Sequence, residues 1–124
     1  MDAALSSKTV ARGLLTSLRQ RQCKAAGTVM TDLSDGQLYQ KVMKDASPHD
    51  LSLTFNTDGE KVFKSSNASL WPIQCVVNEL PVALRWSNVF LCGLYFGKGK
   101  PKMTPFLDLF IDSVNSFGTI KWAV

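Results

Sequence analysis

A chain of 124 residues, 45% of them hydrophobic and 19% charged, has the composition of one globular domain able to bury a core, which excludes wholesale disorder. Its longest apolar run, Val89 to Phe96, has the length of a buried strand and falls far short of the ~20 residues that cross a bilayer. A formal net charge of +4 is modest, but its distribution is uneven, and that unevenness points toward anionic partners.

Lys8, Arg12, Arg19, Arg21 and Lys24 crowd the first segment, while Lys98, Lys100 and Lys102 form a second, tighter cluster. Such clusters attract phosphate backbones without sequence preference, and they equally serve as solvated faces that keep a domain soluble. The early cations also interrupt any charged-then-apolar leader pattern, so an intracellular location, nuclear or cytoplasmic, is expected rather than secretion. Cys23, Cys75 and Cys92 share no metal-type spacing, and their odd number leaves one unpaired in a monomer. Cys75 and Cys92 lie inside apolar runs, where both are expected buried and reduced.

Residues 5–24 predict an amphipathic helix: Ser6 or Ser7 can cap it, and Val10, Leu14 and Leu18 recur at i, i+4 with Arg12 and Arg19 pointing elsewhere. Ala25-Ala26-Gly27 breaks the pattern, so residues 1–27 read as a basic helix with a linker and 28–124 as the domain proper. The helix either docks on that domain or stands apart as an arm. A second helix is predicted over 35–45, with Ser34 and Gln37 at capping-box spacing and Leu38, Tyr39, Val42 and Met43 as its apolar stripe. Pro48, within Asp45 to Asp50 (DASPHD), forbids its continuation.

Three strand-like runs follow. Leu51, Leu53 and Phe55 alternate with Ser52 and Thr54; Leu70 to Val77 is rich in Ile and Val; Asn88 to Phe96 is apolar on both faces and therefore expected at the centre of a sheet. Val82 to Trp86 supports one helical turn. The last helix has Thr104 as a fitting N-cap, Pro105 at its first position, Gly118 as its stop, and an apolar face of Met103, Phe106, Leu107, Phe110, Ile111, Val114 and Phe117. Thr119 to Val124 then begins another strand. The pattern gives an α+β fold: two helices, an antiparallel three-stranded sheet, a C-terminal helix and the start of a fourth strand.

From Asp50 to Pro81 the chain reads DLSLTFNTDGEKVFKSSNASLWPIQCVVNELP, and from Asn88 to Pro101 NVFLCGLYFGKGKP. The order of TDG, FKSS, WPI and NELP, followed by that strand and loop, resembles the front of the catalytic domain in transposases of the CACTA (En/Spm-like) group and their animal relatives. The likeness covers roughly residues 31–122. It implies a partial RNase H-like fold and DNA transposition by metal-dependent strand transfer with Mg²⁺. It implies Asp58 as the first catalytic, metal-binding acid, carried on the first strand of the sheet. The family's second Asp and its Glu fall past the equivalent of Trp122, so the chain is expected to be a truncated domain without strand-transfer activity of its own.

In such chemistry two divalent cations about 4 Å apart bracket the scissile phosphate, and hard cations of this kind gather carboxylates from separate elements. Asp58 retains a second reading, because Asp-Gly between strands is also a strong hairpin signal. Asp108 and Asp112 share a helix face by spacing and read more readily as solvated; Glu60 and Glu79 have no better claim. The loop Gly97 to Lys102 (GKGKPK) is not a Walker loop, since Gly99 stands where Ser or Thr belongs. Its backbone donors and lysines can hold a DNA phosphate, or simply make a soluble connection. The candidate DNA contacts are therefore Lys98, Lys100, Lys102, Arg12, Arg19 and Arg21. Trp71 and Trp86 are stacking platforms or buried flanks of a strand, and His49 is a turn residue. A partial sheet leaves an open edge beside Trp122, which suits pairing with a second copy or a full-length transposase. The alternative to an inactive transposase-derived fragment is a retained nucleic-acid-binding or protein-interaction module.

Overall fold

Val10, Ala11, Leu14 and Leu18 fall along one stripe of α1 (Lys8–Cys23), and all four are buried. The computed structural model describes residues 7–23, 29–61 and 67–117, which divide between two compact units. One comprises the described residues up to Thr54 together with Val76–Val89; the other comprises Phe55–Cys75 with the described part of Phe90–Lys121. The predicted linker at residues 25–27, the FKSS segment from Phe63, and Gly118 with the expected fourth strand lie outside the described residues.

In the first unit α1 is docked rather than free: a Cβ on its Gly13 would meet the Leu84 side chain at 2.7 Å and Pro81 at 3.5 Å, so any larger residue there would have to displace the Leu84 methyl. The predicted second helix is shorter and starts later. A 3-10 turn (Leu33–Asp35) precedes α2 (Gln37–Val42), with Gly36 extended between them. The capping box is made by Asp32 and Asp35, not by Ser34 and Gln37. Asp32 and Asp35 cap the first piece, and the extended backbone of Gly36 (φ −72°, ψ 137°) separates it from the second. Leu38 and Val42 of the expected apolar stripe are exposed, while Tyr39 is half-buried. After the apolar run ending at Val77, a turn through Asn78 and Glu79 leads to the single-turn α3 (Val82–Arg85).

Among the described residues the sheet has four antiparallel strands: β1 (Leu53–Thr57), β2 (Glu60–Lys61), β3 (Ala68–Val77) and β4 (Phe90–Lys98). β3 is central. β4 pairs with β3 from Ala68↔Lys98 to Cys75↔Phe90, while β1 and β2 also pair with β3. Glu60 stands opposite Leu70, and the Ser52 carbonyl accepts from Asn78 N–H at 3.0 Å. These partners keep one register, so β1 and β2 are a single strand interrupted at Asp58-Gly59. That dipeptide does not reverse the chain, and the hairpin reading of it is set aside.

The expectation that the Asn88–Phe96 run is central is corrected. β3 takes the middle because it has partners on both sides; in β4, Leu91, Leu94 and Phe96 remain exposed at 63%, 53% and 62%. α4 (Met103–Ser116) covers the other face of the sheet: Phe106, Leu107, Phe110 and Val114 pack with Ile73 and Cys75, and Phe55 meets Phe110 at 5.1 Å between ring centroids. Ile111 and Phe117 of the predicted apolar face are exposed. The helix begins at Met103, one residue before the expected cap Thr104, and Pro105 sits in its first turn, where a missing N–H is harmless.

Candidate nucleic-acid interface

The loop that carries the lysine cluster is fastened to the start of β3 rather than loose. Gly99, at φ +69°, adopts a backbone conformation that favours glycine, and its N–H donates to Asn67 O at 3.2 Å. The Ser69 hydroxyl donates to the Gly99 carbonyl, and Trp71 Nε1 in turn donates to Ser69 Oγ at 3.1 Å. Lys100 Nζ lies 5.6 Å from the centroid of the Trp71 ring, within cation–π range. Pro101 is buried, while Lys98, Lys100 and Lys102 are exposed. The three cations thus project from a backbone with little freedom, which lowers the ordering entropy that phosphate binding would cost.

The same indole meets the predicted acid's neighbour. Trp71 stacks against Gly59 so closely that a Cβ there would overlap the ring. Asp58 is exposed beside it, and its Oδ1 accepts the Gly59 N–H at 2.8 Å. One tryptophan therefore links the two places that the sequence singled out separately, the TDG acid and the GKGKPK loop. Trp71 is half-buried and held internally, unlike Trp86, which is 69% exposed. Among the described residues no group of three or more His, Cys, Asp or Glu side chains could hold a metal ion. The carboxylate of Asp58 by itself does not fit a two-cation site, and no step through Mg²⁺ follows from these residues.

In the other unit the three candidate arginines of α1 separate. Arg12 and Arg19 are exposed. Arg21 is an internal fastener: its guanidinium donates to the carbonyls of Ser47, Pro48 and Asp50 at 3.0–3.3 Å, and to Tyr39 Oη at 3.4 Å. It also lies 3.7 Å from the buried carboxylate of Glu79. Glu79 accepts from Tyr39 Oη, Ser52 N–H and Ser52 Oγ, all at 2.8–2.9 Å. Burial, above all, raises the Tyr39 phenol above its usual range. Beside this network Arg85 grips Asp32 through two bonds of 2.9 and 2.7 Å and reaches the carbonyls of Asn78 and Leu80; its Nε is buried without a partner. The hydrogen bonds from Arg85 hold the Asp32 carboxyl below its ordinary range.

A cleft of about 860 Å³ opens over these groups, between Thr16 and Gln20 of α1, Asp35, Gln40 of α2 and Pro81. Its carboxylates are already held by protein donors, so the polar groups it leaves free are mainly hydroxyls and amides, set among apolar residues such as Met43, Leu80 and Pro81. Sequence reading missed the buried Glu79–Arg21 and Asp32–Arg85 pairs. The signal available was the Glu of NELP, an acid set between an apolar strand and a helical turn, where a charge is buried only with a partner. The reading of Cys92 as buried is also corrected: Cys75 is buried and Cys92 is exposed, on a strand that pairs only with β3 among the described residues.

No protein-family model, curated protein or solved structure matches this chain.

Proposed function

We propose that the chain is a transposase-derived module that binds DNA phosphates through Lys98, Lys100 and Lys102, built on the opening part of an RNase H-like domain. The observation that carries this reading is the rigid lysine loop fixed to Trp71. The strand order supports the RNase H-like part: a first strand interrupted at Asp58, a central antiparallel strand, a third strand, then a helix covering one face. In this reading Asp58 is the first acid of a strand-transfer centre that uses Mg²⁺. One carboxylate cannot bracket a phosphate between two cations, so the chain by itself binds DNA without cutting it. Arg12 and Arg19 are the auxiliary contacts; Arg21 serves the fold first.

A gel-shift titration against salt tests the proposal. The wild-type chain is expected to bind duplex DNA at low salt with little sequence preference. Replacing Lys98, Lys100 and Lys102 by Ala should flatten the slope of log affinity against log salt by about 2–3, near 0.9 for each phosphate that no longer pairs with a lysine. Absence of binding at low salt, or an unchanged slope in the triple variant, would overturn it.

A further inference from the structure

Cys75 and Cys92 sit on neighbouring strands, and the local geometry brings their thiols together. Cys75 stands opposite Phe90 across the ladder. Between Ile73 and Gln74 the register shifts, with Gly93 opposite Ile73 and Leu91 opposite Gln74, which leaves Cys92 as the extra residue of a bulge in β4. A bulge re-aims the side chain it carries. The Cys92 thiol reaches back to the carbonyl of Phe90, the residue facing Cys75, at 3.9 Å, and after burial it is the next cause that raises the Cys75 thiol. Cys75 is fully buried beside Ile73 and Phe110, while Cys92 is open to solvent.

We propose that Cys75 and Cys92 form a redox-sensitive pair that closes as a disulfide between β3 and β4. The accessible partner reacts first. The Cys92 thiolate attacks one sulfur of a low-molecular-weight disulfide such as oxidised glutathione; that S–S bond breaks, and one glutathione leaves as thiolate. Cys75 then loses its proton to solvent and attacks Cys92 Sγ, and the second glutathione departs as thiolate. In balance, two protein thiols are oxidised to one disulfide while one glutathione disulfide is reduced to two thiols. The order follows from the environments of the two thiols. Burial pushes the Cys75 thiol up to about 12, so it ignores reagents in solution and acts only on a sulfur delivered beside it. The bond encloses residues 76–91 and ties the edge strand to the central one, which restricts the unfolded chain and raises the unfolding temperature.

The test uses the full chain with Cys23→Ser, which leaves these two thiols alone, incubated reduced with oxidised glutathione under native conditions. The intact mass should fall by two hydrogens. Trypsin cuts at Arg85 between the cysteines, so the closed form should release a linked pair of peptides. The thermal midpoint should rise by several degrees and return on adding dithiothreitol. Adding Cys92→Ser, at an exposed position that spares the core, should abolish closure and leave Cys75 unlabelled. A stable glutathione adduct on Cys92, a Cys92-linked dimer, or no reaction would each overturn the proposal.

Discussion

Gly59 lies directly beneath the indole of Trp71, so close that a Cβ on Gly59 would overlap Trp71 Cε2. The ring cannot swing aside cheaply, because its Nε1 is bonded to Ser69 and Lys100 covers its face. Gly59→Ala is therefore expected to destabilise the protein by about 1–3 kcal/mol, read as a lower urea midpoint. The same change in a Trp71→Leu background should cost clearly less, since neighbouring sites are non-additive. Equal costs in the two backgrounds would mean that the overlap is not the cause.

Arg21 separates a folding role from a binding role. Its guanidinium spans three carbonyls of the Ser47–Asp50 turn and faces the buried Glu79. Removing it leaves a buried carboxylate without its cation, so Arg21→Ala should cost about 2–4 kcal/mol in chemical denaturation. Arg21→Lys should recover only part of that, because an ammonium cannot reproduce the fork. Loss of DNA affinity with unchanged stability would instead make Arg21 a phosphate ligand.

Asp32 gives the fold an acid-sensitive joint. Its folded pKa lies below the ordinary value because Arg85 donates two hydrogen bonds to the carboxylate. A depressed carboxylate contributes stability that is present above its unfolded pKa, near 3.9, and is lost as pH falls through the folded value. Wild-type stability should thus begin to drop as pH falls below about 5 and keep dropping through the depressed folded value, with Asp32 contributing to the slope. Asp32→Asn should lower stability at pH 7 by about 2–3 kcal/mol, since Arg85 is left largely buried and poorly paired. It should also flatten that acid limb in urea titrations across pH. An unchanged limb would assign the acid sensitivity to other groups.

Asp58 is exposed, and its bond to Gly59 N–H can be reproduced by an amide oxygen. Asp58→Asn should change stability by less than about 0.5 kcal/mol. Neither form should cleave DNA with Mg²⁺, and magnesium should shift their melting temperatures alike. A magnesium-dependent stabilisation present in wild type and lost in Asp58→Asn would show that Asp58 holds a cation without further acids.

Local signals were legible wherever the chain makes its own structure. The stripe Val10, Leu14 and Leu18 announced α1, Pro105 marked the start of α4, and alternation around Leu53 and Phe55 marked β1, because 3.6- and 2-residue periods follow from the backbone alone. The reading failed where two distant segments compete. Apolarity on both faces made β4 look central, yet strand order depends on which edges meet, and among the described strands it is β3 that is paired on both sides. Ser34 and Gln37 had capping-box spacing, but the box formed two residues earlier, at Asp32 and Asp35.

The sequence by itself determined an α+β chain with a basic first helix, an Asp-Gly pair and a tight lysine loop, since composition and period need no knowledge of partners. Only the tertiary structure decided how those pieces meet. Pairing of both β1 and β2 with β3 made Asp58-Gly59 an interruption of one strand instead of a turn. It also set Trp71 between that acid's neighbour and Lys100. Docking of the Ser47–Asp50 turn converted Arg21 from a surface charge into a fastener. Such roles arise between residues tens of positions apart in the chain, and no local period encodes them.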